Sequence, residues 1–436
     1  MNTGNLVTMR FATTFSCTGS ACPNNCCHGW KIGVEKRIYD DLRQLYGKTP
    51  EDQAFFENSL TIDKAATSEQ NYAILQNDDQ GNCRFLDEQG WCRIHKDYGP
   101  EHLGHTCKDY PRIVTDNFGQ IELMLSLSCP EAARLFIEGD TATELCEASA
   151  SLLDHTSGYC QMLPDEEGLP PYYQYRNEIR QILMILAGAD QYPVTGRVFL
   201  MLHFARQIAP LFHSASDEST IEALVQEIDA IANPDNHPRL IEQFATFPED
   251  QARAIGTLLA IILFRLEVSK STFSDYAAKT LLHYHVDLNN IDEAMFIDAF
   301  PPLIVRYLEN RNILEHSHRP FLEGHLGNLL TYNCFKQQYI LVDTLLEHVR
   351  GMLLAVQLVK FLFLLHPKVD VLCHELKERA PNEADEPVLR DAMIETIYQT
   401  SRAFDHWGNS GVKLLSESMD AQGIKTFEQL VQFSKA

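Results

Sequence analysis

FSCTGSACPNNCCHGW, residues 15–30, places four cysteines at Cys17-x4-Cys22-x3-Cys26-Cys27 among Gly, Ser, Asn and Pro. These residues favour turns and loops over long helices or strands. A loop of this kind presents several thiols within a few ångströms, which suits soft or borderline metals: zinc in tetrahedral sites or iron in iron–sulfur clusters. The adjacent pair Cys26-Cys27 does not fit the C-x2-C knuckle of a zinc ribbon. Neighbouring cysteines are also poorly placed for a disulfide, whose geometry is specific.

A second group lies downstream in NDDQGNCRFLDEQGWC, residues 77–92, which carries Cys83-x8-Cys92 and is followed by Cys107 and Cys129. Eight of the twelve cysteines therefore fall between Cys17 and Cys129. The candidate metal ligands are Cys17, Cys22, Cys26, Cys27, Cys83, Cys92, Cys107 and Cys129. One site needs four, so two sites, or one site with spare thiols, are both consistent with the count. His28, His95, His102 and His105 are secondary candidates, although such histidines are more often polar surface. Neither standard template matches, and spacing favours iron–sulfur, with zinc as the alternative. Cys146, Cys160, Cys334 and Cys373 sit in helix-like sequence and read as small buried apolar residues.

The remainder is patterned differently. RNEIRQILMILAG (176–188), TGRVFLMLHFARQIAPLF (195–212), DQARAIGTLLAIILFRLEV (250–268) and VDTLLEHVRGMLLAVQLVKFLFLLH (342–366) repeat apolar residues at i, i+3, i+4 and i+7. That periodicity predicts amphipathic helices. ANPDNHP (232–238), AFPP (299–302) and HPKVD (366–370) punctuate them as turns. Strand-like alternation is scarce after residue 150; before it, IVTDNFGQIELMLSL (113–127) predicts a hairpin around Asn117 to Gly119. A short helix is expected from Glu35 to Tyr46. The fold class is therefore mainly α: a small irregular cysteine-rich metal-binding domain, residues 1–156, then an all-helical domain, residues 165–436. The boundary is the Pro/Gly-rich stretch 157–171. No Gly-rich phosphate loop follows a strand, so a doubly wound nucleotide-binding sheet is not expected.

The formal charge of −24 opposes binding to nucleic acid or anionic lipid. No transmembrane segment is expected: the most apolar run, Met352 to Leu365, is interrupted by Gln357 and Lys360 and is shorter than a bilayer span. The start of the chain lacks a basic segment leading into an apolar one, which points to the cytoplasm. In that reducing compartment cysteines serve as ligands or free thiols rather than disulfides. Peripheral membrane association and oligomerisation are left open.

FSCTGSACPNNCCHGWKI (15–32), CRFLDEQGWCRIHKDYGPEHLGHTCKDYPRI (83–113) and LSLSCPEAARL (125–135) closely resemble the flagellin lysine-N-methylases. More loosely they resemble a wider group with a zinc- or iron-chelating cysteine domain. The resemblance is strongest over residues 11–136 and continues in NLLTYNCFKQQYI (328–340) and ETIYQTSRAFDH (395–406). It implies an S-adenosylmethionine-dependent enzyme that methylates surface lysines of flagellin, with a [4Fe–4S] cluster bound by the N-terminal cysteines, whose motif positions are the eight named above. The Lys108 to Arg112 run belongs to the same pattern. The common radical-enzyme spacing C-x3-C-x2-C is incomplete: Cys22-x3-Cys26 fits, but Gly29 stands where a third cysteine is required. No cofactor-binding or catalytic residue is assigned. Asp109, Tyr110 and Glu122 lie near the cysteines but read as structural polar groups. The alternatives are a non-enzymatic metal-binding or iron-sensing module and an iron–sulfur oxidoreductase of unknown substrate.

Overall fold

The computed structural model describes residues 6–435 apart from 30, 155, 159–160, 163–170, 212–213, 215–216, 269–271, 287–292, 337–343, 405–416 and 418. The chain divides into two compact units, Met1–Leu163 and Pro164–Ala436. Cys160 and most of the proposed boundary lie outside the described residues.

The first unit has two sheets. A small antiparallel one is formed by β2 (Gly33–Val34), β3 (Leu60–Ile62) and β4 (Ala73–Leu75) in the order β2-β4-β3. The helix Lys36–Leu45 forms where the helix from Glu35 to Tyr46 was expected, and buries Ile38 and Leu42, one turn apart. The next helix, Pro50–Ser59, starts where Thr49 Oγ1 accepts from Asp52 N at 3.1 Å. Pro50 fits the first turn, and Glu51 and Asp52 complement its positive end. Tyr46 is the hub of the small core, with ring centroids 5.6 Å from Phe85 and 5.4 Å from Tyr98. Cys83, Cys92 and Cys107 pack against this core.

The second sheet runs β7 (Leu145–Ala148), β1 (Leu6–Met9), β6 (Gln120–Leu125), β5 (Arg112–Asn117), β8 (Gln161–Met162). The expected hairpin is β5–β6, registered Asn117↔Gln120. Its two turn residues both have positive φ, Phe118 at 54° and Gly119 at 89°, as a tight primed turn demands. Asp116 Oδ1 accepts from Gly119 N at 2.6 Å. β1 lies parallel to β6 and antiparallel to β7, pairings that join residues far apart in sequence. Cys146 is thus on β7, opposite Thr8, and not on a helix as its sequence context suggested. Partnership with a strand from the far N-terminus overrides local propensity there.

All regular secondary structure among the described residues of the second unit is helical. Its centre is the helix Leu345–Leu364, capped by Thr344 Oγ1 accepting from Glu347 N at 3.1 Å. Every residue from Val356 to Leu364 is buried, so the second half of this helix has no solvent-facing side, whereas Glu347 and Arg350 in its first half are partly exposed. It packs against the helices Val194–Ile208, Arg319–Lys336 and Asp385–Phe404. Among the described residues no single helix is long and apolar enough to cross a membrane.

Candidate metal centre

Three separated segments bring cysteines together in the first unit. The loop 22–28 and the segment 77–83 are stitched by Cys83 N donating to Cys27 O at 2.8 Å and by Gly29 N donating to Gly81 O at 2.8 Å. His28 Nε2 adds a 3.0 Å bond to Gln80 O. Asp78 folds the second segment into a tight turn, its carboxylate accepting from Gln80 N and Asn82 N, each at 2.9 Å. Asp87 does the same before Cys92, accepting from Trp91 N at 2.8 Å and from Lys96 Nζ at 2.8 Å. The Asp, Asn and Gly residues between the cysteines are therefore the turn formers their composition implied.

The electrostatics show which thiols share a neighbourhood. Cys27 is pushed up by its bond to Cys26, by burial, and by Cys92 and Cys83. Cys83 is raised to about 11 by burial, with Cys92 and Cys26 adding to it. Cys107, half-buried at the edge of the core, is raised well above the ordinary thiol value by desolvation and by Cys26, Cys92 and Cys83. Cys26, Cys27, Cys83, Cys92 and Cys107 thus form one set. Cys129, raised to about 12 by burial, feels Cys22 and Cys26, so Cys26 joins the main set to a rim. Cys17 is exposed and couples to the half-buried Arg112, whose guanidinium lies over the Phe15 ring at 5.1 Å.

Helix starts are aimed at two of these sulfurs. Cys92 precedes the helix Arg93–Tyr98, and Cys129 precedes Pro130–Glu138. The N–H groups of His95 and Ile94 oppose the rise at Cys92, and those of Ala132 and Glu131 oppose it at Cys129, without closing cap hydrogen bonds. Such N–H groups and the helix dipole favour a thiolate. Pro130 and Glu131 directly after Cys129 were the available sign of this helix start, and the spacing argument did not use it. Cys107 lies in the short helix His105–Asp109, which Glu35 anchors by accepting from His105 N at 2.9 Å and pairing with His105 Nδ1 at 2.9 Å. Burial opposes the charge on Glu35, yet the bonds to His105 hold its carboxyl below the usual range.

The nearby acid groups are spoken for. Asp109 accepts from both the backbone and the hydroxyl of Ser157. Buried Glu122 accepts from Asn117 Nδ2 at 2.9 Å, and Tyr110 bonds Ser128 at 3.0 Å. His95 is exposed, and His105 is engaged with Glu35. Among the described residues no three His, Cys, Asp or Glu side chains form a ready site for a single metal ion. The donor set nevertheless fits a metal group chemically. Cys26, Cys83 and Cys92 raise the pKa of neighbouring half-buried thiols, and a cationic centre would relieve that repulsion.

The curated relatives that match include the lysine-N-methylases of Salmonella typhimurium and Salmonella choleraesuis. Each is 31% identical over 159 residues, covering 36% of this chain and 38% of the relative. The chain thus spans well under half the length of those two proteins. The flagellar biosynthetic protein FliU of Salmonella muenchen is 34% identical over 137 residues, which is 31% of this chain and 79% of that protein. No solved structure matches. The model of the FliB lysine N-methylase C-terminal domain matches residues 180–433. That span is more than half of the chain, and the chain belongs to the FliB lysine N-methylase family.

Proposed function

We propose that this protein is an S-adenosylmethionine-dependent protein-lysine N-methyltransferase that acts on surface lysines of flagellin and depends on a [4Fe–4S] cluster held in its first unit. The observation that carries the reading is the gathering of Cys26, Cys27, Cys83, Cys92 and Cys107 from three segments in a chain of this family. Four of these five would be the ligands, with Cys17, Cys22 and Cys129 at the rim. Close-set thiolates suit an iron–sulfur cluster, and the adjacent pair Cys26-Cys27 does not fit the knuckle of a zinc ribbon. When bound, the cluster would supply a cross-link between the three segments and one-electron chemistry.

The chain's own residues prepare that place. Cys83, Cys92 and Cys107 pack partly buried against the core of Tyr46, Phe85 and Ile94, and the helix starts behind Cys92 and Cys129 favour thiolates. Transfer to lysine needs a neutral amine, because the protonated form, with a pKa near about 10.4, has no free electron pair. An acidic chain of charge −24 attracts a lysine-bearing protein surface, and charge complementarity raises encounter rates. The reaction is assigned to the reducing cytoplasm, where free thiols persist.

The test is anaerobic purification, iron and acid-labile sulfide analysis, and incubation with methyl-labelled S-adenosylmethionine and flagellin, followed by peptide mass spectrometry. Iron and sulfide in equal amounts, with label on lysine, is the expected result. Full methylation by iron-free protein removes the cluster from the reaction. Loaded protein that labels no lysine sinks the activity.

A further inference from the structure

The second unit contains a cleft of about 420 Å³ between its helices, within the roughly 300–1,000 Å³ range of small-molecule sites. It runs from exposed Glu249, His316 and Arg319 at its rim to buried Phe244, Val198, Leu326 and Leu353, and four Lys or Arg and three Glu side chains line it. The central helix Leu345–Leu364 contributes Gln357 and Lys360, one turn apart, only 3% and 6% exposed.

Gln357 has a fixed orientation. Its Nε2 donates to Ser434 O at 2.8 Å, so turning the amide over would set Oε1 against a carbonyl oxygen. Oε1 is buried and has no hydrogen-bond partner. A buried acceptor without a donor is costly, and its natural complement is an N–H group of a ligand. Lys360 supplies a cation. Burial, with a smaller push from Arg311, lowers its pKa to about 8, while Glu315, Glu323 and Glu249 support the charge. Two of these carboxylates have other duties: Glu315 Oε1 accepts from Arg311 Nε at 2.9 Å and Glu323 Oε2 accepts from Val194 N at 2.6 Å. A wall of mixed sign, with an unpartnered acceptor one helical turn from an ammonium, does not match a simple anion or a simple cation. It matches a zwitterion.

We propose that this cavity seats an α-amino-acid head group, its ammonium donating to Gln357 Oε1 and its carboxylate facing Lys360, with Arg319 at the exposed rim. Two sources carry that head: a free amino acid, or S-adenosylmethionine through its methionine end. The apolar share of the wall suits the larger ligand, and that assignment, unlike the head-group chemistry, rests on the methyltransferase reading. A methionine end held by protein side chains does not chelate iron, which separates donor binding from the thiols of the first unit.

The experiment is calorimetric titration of the full anaerobically purified chain with S-adenosylmethionine, S-adenosylhomocysteine, free L-methionine and 5′-methylthioadenosine, which lacks the head. Lys360→Met and Gln357→Leu are expected to weaken the first two at least tenfold and to leave 5′-methylthioadenosine unchanged. Methionine binding that falls in the variants, without any S-adenosylmethionine binding, keeps the head-group site and removes the methyltransferase reading. Wild-type affinity for every ligand in folded Lys360→Met and Gln357→Leu overturns the cavity while the methyltransferase reading stands. Failure of all head-bearing ligands to bind the wild type also overturns it. If the buried variants do not fold, the exposed Arg319→Glu carries the test: several-fold weakening supports the site, and unchanged affinity overturns it.

Discussion

The two units solve the problem of stability by opposite means. The first has short strands, short helices and a small core centred on Tyr46, Phe56 and Phe85, with three thiols at its edge. The second buries most of a largely apolar helix, Leu345–Leu364, against long helices on several sides. A small core cannot offset the entropy of ordering many loop residues, and such units are usually stapled by metal or disulfide. All the described cysteines are free thiols. On the cluster proposal the first unit is held by its ligands and the second by its packing. A change of the same kind should therefore have different consequences in the two places.

The largest effect is expected where a ligand is removed. Cys83→Ser keeps the size of the side chain but loses the soft thiolate, and should abolish iron and acid-labile sulfide together. Lysine methylation should fall by more than about 100-fold, since even outer-shell changes at metal sites cost roughly 10–100-fold. The helical signal of the second unit should remain. Cys83→Ser protein with full iron breaks the comparison at its first point.

Phe361→Ala is the converse. Phe361 is fully buried, and its ring centroid lies 5.4 Å from that of Tyr307. Truncating it should cost about 3–5 kcal/mol in denaturant melts of the second unit, with iron content per folded chain unchanged. Loss of iron from the folded variant would show that the two units are not independent in stability.

Acidity provides a smaller and reversible handle. Lys360 has its pKa lowered to about 8 in the folded chain against an ordinary 10.5. Between those values the unfolded chain binds the proton and the folded chain does not, so stability rises with pH across that window. Below about pH 8 both states are protonated, and the buried ammonium is a standing cost of up to about 3 kcal/mol. Stability of the second unit should therefore climb from pH 8 to 10.5, and Lys360→Met should remove that component of the climb. An identical pH slope in wild type and variant would show that Lys360 is not buried as a charge. It would also weaken the case for the cavity.

What was legible in the sequence follows from range. The helices of the second unit are written in local periodicity, so VDTLLEHVRGMLLAVQLVKFLFLLH could be read without knowing its neighbours. The hairpin at Asn117 to Gly119 is likewise local, fixed by a two-residue turn. The pairing of β1 with β6 and β7 was not legible, because Leu6 meets Ile121 and Ala148 across most of the first unit. Cys146 was assigned to a helix for the same reason. Among the cysteines, clustering pointed to one stretch of the chain, but sequence distance hid that Cys26 influences Cys129 as well as Cys27, Cys83, Cys92 and Cys107. Gln357 and Lys360 were visible only as interruptions of an apolar run; that they line a cavity is a property of several helices at once.

The smallest prediction makes the comparison sharpest, because it repeats the first substitution in the other region. Cys334 is fully buried on the helix Arg319–Lys336, and its thiol donates to Met352 Sδ at 3.7 Å. Burial pushes the thiol's pKa up, so it stays neutral, and no other cysteine contributes to the shift. Cys334→Ser exchanges a weakly polar sulfur for a hydroxyl, which must find an acceptor in an apolar core. On a helix the carbonyl four residues back, that of Leu330, is within reach of a serine hydroxyl. The net cost should be about 1–2 kcal/mol, below that of an unsatisfied buried polar group. Iron, sulfide and methylation should match the wild type, in contrast to Cys83→Ser. A Cys334→Ser protein that folds yet has lost iron would place a ligand in the helical unit, and the division of labour between the two regions would have to be abandoned.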